Sequence, residues 1–213
     1  MVPEFHDYPN GDVCTLDAVI ATDQLCERIP RSPDPAIETR LLLELTRELA
    51  EAPDAFFQTL AEATLEMCRA GSAGISLLNE KTGRFVWPAI AGALKPFLGG
   101  GTPRDFGPCG TVLHRDSALL FLHPERHFTY LKPIQPPLEE VLVVPFYMGG
   151  HAVGTMWAVL HEKGRKFNAE DKRSLENLCT FAASAYQVLS ESGTLNAHLS
   201  KLPQGDESLE KND

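Results

Sequence analysis

Three groups of residues in this chain carry side chains that could do chemistry. Cys109 stands in Pro108-Cys109-Gly110, preceded by Arg104, Asp105 and Phe106 and followed by His114. A cysteine reacts or ligates as its thiolate, which positive neighbours such as Arg104 or His114, or a helix N-terminus, would favour. The competing reading is a small hydrophobe packed under a loop, a common role for free cysteine. His123 and His127, with Glu125 and Arg126 between them, form the second group. If that stretch is helical, with Pro124 in its first turn, both rings share a face. With Cys109 or His114 they would make a zinc-like donor set. The sequence has neither an HExxH motif nor a CxxC pair, and donor spacing alone does not specify zinc. The alternative is a set of polar groups that cross-link an irregular loop, and no metal is assigned. Third, Gly99-Gly100-Gly101-Thr102 lacks the Lys-Ser/Thr that grips phosphate and magnesium, and reads as a hinge or turn. Trp87, Phe106, Phe128, Tyr130 and Trp157 are aromatics suited to lining a small apolar pocket, or simply to filling a core.

These groups need a scaffold, and residues 139–161 supply its clearest part. Two runs rich in β-branched and aromatic residues flank Gly149-Gly150, a pair that takes positive φ at both centres of a two-residue hairpin turn. Earlier runs at 73–78 and 84–92 predict a second hairpin with a longer loop, and 118–122 a short strand. Asp34 before Pro35 predicts a helix start, with Leu41, Leu42, Leu45 and Leu49 on one stripe until Ala52-Pro53 breaks it. A second helix runs to about Arg69, carrying Phe57, Leu60, Ala61, Thr64 and Cys68 at helical spacing. Asn168, followed by Glu170 and Asp171, caps a last helix whose Leu175, Leu178, Ala182, Ala185 and Leu189 fall at a/d spacing. A short helix is expected within 16–25. Residues 93–138 are glycines, prolines, histidines and aromatics without a period, an irregular segment too apolar to be disordered. Strands grouped between helices predict an α+β domain with a central antiparallel sheet.

At 213 residues with a formal net charge of -10, the chain is one domain with extensions: 1–35 an extension or linker, 36–190 the domain, and 191–213 a polar acidic tail expected to be disordered. The acidic balance, with no basic stripe, argues against a nucleic-acid partner. No apolar run approaches the roughly 20 residues of a membrane helix, and the first residues do not read as a secretory signal. The five cysteines are scattered and odd in number, which points to a reduced, cytoplasmic protein rather than a disulfide framework.

The order of elements resembles the GAF domain, a small-molecule sensing fold of signalling proteins, over residues 37–189. More specific are Cys68-Arg69-Ala70-Gly71-Ser72-Ala73-Gly74-Ile75-Ser76-Leu77, the run from Thr102 to Leu113, His123-Pro124-Glu125-Arg126-His127-Phe128, Pro145-Phe146 and Val153-Gly154-Thr155. These are similar to GAF modules of bacterial sensor and hybrid histidine kinases, as is the lead-in from Leu16 to Asp23. The resemblance implies a GAF-like sheet between N- and C-terminal helices, with an irregular segment covering a ligand. Arg104, Asp105, Phe106, Cys109, His123, Glu125, Arg126, His127, Phe128, Tyr130 and Trp157 become the candidate ligand-binding residues. It also implies a homodimer through the terminal helices and a separate histidine kinase as partner, since His198 to Pro203 only faintly resembles a phosphoacceptor box. The expectation is a non-enzymatic sensory module without a cofactor. Cys109 and His114 do not form the Cys-His dipeptide of bilin-binding members, haem is not expected, and the sulfoxide-reducing members need several converging cysteines. A dimerisation scaffold with a filled pocket, and a thiol- or metal-dependent redox sensor or enzyme, are the rival readings.

Overall fold

In a computed structural model, which describes residues 14–202, the turn at Gly149-Gly150 has φ of 57° and 82°, and Met148 pairs directly with His151. The double glycine thus does what a side chain there would resist. The hairpin so closed joins β4 (Glu140–Met148) to β5 (His151–Leu160), beside β1 (Ser72–Asn79), β2 (Arg84–Gly92) and β3 (Leu119–Leu122). All neighbours are antiparallel, in the order β2-β1-β5-β4-β3. The expected α+β fold is the observed one.

Register decides which side chains meet, because successive strand residues point to opposite faces. Leu142 opposite Ala158 and Val144 opposite Met156 join Ile75 and Leu77 of β1 on one face. Three helices bury that face: α2 (Pro35–Glu51), α3 (Phe56–Met67) and α5 (Ala169–Glu191). Leu41, Leu45, Leu175, Leu178, Ala182, Ala185 and Leu189 are all at most 3% exposed, so these positions are core. Leu42, expected on the same stripe of α2, is instead exposed, one residue being a step of about 100° around a helix. Asp34 Oδ1 accepts from Ile37 N at 3.2 Å, and Asn168 and Asp171 form a reciprocal capping box at the start of α5.

The opposite face, with Val141 paired to Val159 and Val143 to Trp157, belongs to a second core. It is covered by the irregular segment, by α4 (Pro108–Arg115), and by residues ahead of α2. The helix expected within 16–25 is instead a 3-10 turn at Leu16–Ala18 and a four-residue helix, α1 (Gln24–Glu27). Ile20 between them bridges to Phe121 of β3, and Ala21 N donates to Leu120 O at 2.8 Å. Pairing to a sheet edge outweighs a marginal short helix there. Residues 14–31 are fastened at both ends. Cys14 N donates to Arg126 O at 3.2 Å in the cover. Arg28 grips the buried Glu140 carboxylate with two nitrogens at 2.9 and 3.0 Å, and Arg31 meets buried Asp171 at 2.9 Å.

Past α5 the tail expected to be disordered from 191 on instead forms helix α6 over Thr194–Lys201, ordered by packing: its His198 lies against the Phe57 ring at 5.8 Å. The disorder expected for 204–213 lies outside the described residues.

Candidate functional site

Between the second face of the sheet and its cover lies a cavity of about 90 Å³. Its floor is Ile90 of β2, Val141 and Val143 of β4, and Trp157 and Val159 of β5. The walls come from Trp87, Leu94, Phe97 and Thr102 on one side and from Phe106, Pro108, Cys109 and Tyr130 on the other. Leu131, Ile134 and Leu138 close it.

The small residues of β1 explain how the floor is laid. On this face β1 presents Gly74 opposite Trp157 and Ser76 opposite Thr155. A Cβ at Gly74 would collide with the indole, 2.7 Å from its Cη2, so the glycine makes room for the ring against the β1 backbone. Its Nε1–H donates to Ser76 Oγ at 3.1 Å, and the same hydroxyl stands 3.4 Å from Cys109 Sγ. Burial pushes the Cys109 thiol up, with the Ser76 hydroxyl offsetting part of that rise. Arg104 and His114, which would favour a thiolate, are both exposed. Cys109 therefore sits in the wall as a neutral thiol, away from the electropositive setting that activates cysteine.

Over the floor, Tyr130 stacks on Phe106 with ring centroids 4.4 Å apart and planes at 28°. Burial also pushes the Tyr130 phenol up. Gly107, at φ 113°, leaves space for that hydroxyl, which any Cβ there would strike.

Of the candidate ligand residues, the structure gathers Phe106, Cys109, Tyr130 and Trp157 around one cavity, and Trp87 joins them. The charged ones do not converge on it. Arg104, Asp105 and Arg126 are exposed. His123 and His127 do not lie on one α-helical face, because Pro124–Arg126 is a single 3-10 turn and His123 ahead of it is left-handed at φ 47°. His123 instead stands 3.6 Å from Glu125 Oε1 and 3.7 Å from Glu139 Oε2, while His127 Nδ1 lies 2.8 Å from Cys14 O. Phe128 packs edge-on against Phe121, centroids 6.0 Å apart, outside the cavity lining. Among the described residues no three His, Cys, Asp or Glu side chains group to hold a metal ion. Glycines 99–101 run along the free edge of β2, where Trp87 N donates to Gly100 O at 2.8 Å.

The aliphatic lining was not singled out by sequence reasoning. The alternation Val141, Val143 against Leu142, Val144 is the signal that holds it, and it is silent when both faces are apolar.

A family model for the GAF domain matches residues 50–187. The chain belongs to the GAF domain family. No curated protein matches its sequence. Among solved structures, this GAF domain is similar to the GAF domain of an Acinetobacter phosphoenolpyruvate-protein phosphotransferase, with 15% identity and a TM-score of 0.62 over 77% of this chain and 99% of that one. It is equally similar to the free methionine-R-sulfoxide reductase of Neisseria meningitidis in complex with its substrate, at 16% identity and a TM-score of 0.62 over 78% of this chain and 97% of that one. A third is the GAF-B domain of DevS from Mycobacterium smegmatis, at 19% identity and a TM-score of 0.55, covering 67% and 98% of the two chains. At such identities the likeness is one of fold. GAF domains are in general sensory or regulatory ligand-binding modules of signalling proteins. No described helix of this one is long and apolar enough to cross a membrane.

Proposed function

We propose that this GAF domain is a non-enzymatic, cytoplasmic sensory module that binds a small molecule between sheet and cover and signals to a separate partner such as a histidine kinase. The observation that carries this reading is the apolar cavity of about 90 Å³, walled by aromatics from both the sheet and the irregular segment. A ligand there touches the cover and the sheet at once, so its binding free energy favours the closed arrangement over any open one.

A path toward the helices is supported by residues 14–31. They meet the cover at Arg126, the edge strand at Phe121 and the start of α5 at Asp171. Apolar groups on the outer surfaces of the terminal helices, Leu43 at 66% exposure and Val188 at 53%, support pairing of two copies through those helices. Neither a nucleic-acid nor a membrane partner belongs to this reading. It also needs no bilin or haem, since the space is far smaller than a tetrapyrrole.

Native mass spectrometry of the gently purified full chain tests the proposal. The expected result is a small organic mass released on denaturation and lost in Val143→Phe, which fills the cavity. A chain that retains no mass and whose melting is unmoved by metabolite mixtures would refute sensing in favour of a scaffold with a filled pocket.

A further inference from the structure

The lining of the cavity bears on what enters it. Not one of its side chains is charged, and the candidates Arg104, Asp105 and Arg126 are exposed. A carboxylate or ammonium placed there would lose its water without gaining a counter-ion, a cost of several kcal/mol that excludes it. The volume sets size. At about 90 Å³ the cavity admits a small body, on the scale of one five-membered carbon ring.

The polar atoms then set orientation. The indole N–H of Trp157 is satisfied by Ser76, which also faces the Cys109 thiol. The Tyr130 hydroxyl makes no hydrogen bond with any described residue, though stacking on Phe106 fixes its ring and Gly107 leaves its oxygen room. Tyr130 is half-buried and borders the cavity, so its hydroxyl can donate to a guest there.

We infer that the cavity takes a small, uncharged, mostly hydrocarbon molecule bearing one hydrogen-bond acceptor, which the Tyr130 hydroxyl meets. The inference rests on the cavity being a ligand site, and its test separates the two claims. Both tryptophans of the chain line the cavity, so intrinsic emission reports occupancy there. Cyclopentanone, methylenecyclopentane and cyclopentanecarboxylate, of closely similar shape, are titrated against the full chain, with melting temperature as second readout.

The ketone and the hydrocarbon are expected to give saturable changes and the carboxylate none. Tyr130→Phe is expected to weaken the ketone about five- to tenfold, the range for one net hydrogen bond, and to leave the hydrocarbon within about twofold. Equal losses for ketone and hydrocarbon, or a carboxylate that binds as well as the ketone, overturn the inference and leave the ligand site standing. If no probe saturates, in the wild type or in the enlarged Leu138→Ala variant, the ligand site itself falls and the inference with it.

Discussion

Gly74→Ala is the substitution that most sharply tests how the cavity floor is built. The new methyl would lie 2.9 Å from Ala89 O and 2.7 Å from Trp157 Cη2, closer than carbon tolerates on either side. The carbonyl belongs to the β1–β2 ladder and cannot retreat without breaking it. The indole must therefore lift toward the only space above it, the cavity of about 90 Å³. Overpacking of this kind costs about 1–3 kcal/mol. Loss of the Trp157 bond to Ser76 adds about 1 kcal/mol, for a total of about 2–4 kcal/mol. For a domain of this size that lowers the melting temperature by about 4–16 °C. Thermal melting by circular dichroism reads the stability, and tryptophan emission reads the indole environment. Gly164→Ala is the control, since nothing lies within 4 Å of a Cβ there, and its change should stay within about 0.5 kcal/mol. If Gly74→Ala melts with the control and leaves the emission unchanged, the glycine does not seat the indole and the account of the floor is wrong.

Other expectations concern the frame. Glu140 is fully buried and accepts from Arg28, Lys166 and the Phe167 amide. Glu140→Ala strands those donors and should cost about 3–5 kcal/mol in urea unfolding; a loss under 1 kcal/mol would mean the clamp is not formed in solution. Asn168→Ala removes the α5 cap and should cost about 0.5–2 kcal/mol, with no loss counting against the capping box. Burial pushes the Cys68 thiol up to about 12, so the folded state holds this proton more tightly than the unfolded chain does. Stability is then whole below the ordinary thiol pKa of 9.0 and falls as pH rises from there toward about 12. Cys68→Ala should flatten the alkaline limb of a melting-temperature profile, and an unchanged slope would speak against that assignment.

Much of the frame was legible because its signals are local. Gly149-Gly150 announces a turn by backbone freedom, Asp34-Pro35 and Asn168 announce helix starts by capping chemistry, and the leucines and alanines of α5 announce a core face by period. The site was legible only in part, for a physical reason. Residues 102–130 carry aromatic and charged side chains side by side in a segment without periodicity, so sequence neighbourhood does not tell which point inward. Phe106, Cys109 and Tyr130 turn in while Arg104, Asp105 and Arg126 turn out. His123 and His127 were paired on the assumption of a helix that a single 3-10 turn does not provide. The aliphatic floor escaped because β4 is apolar on both faces, which hides the alternation that would have separated Val141 and Val143 from Leu142 and Val144.

That the space between sheet and cover is a true cavity able to receive a ligand is tested most directly by a crystal structure under xenon pressure. Xenon enters dry apolar cavities and is seen at modest resolution. The account expects one xenon atom among Trp157, Tyr130 and Val143, absent in Val143→Phe. Xenon elsewhere only, or none at that position in well-ordered crystals, would contradict it and leave an ordinary packed core.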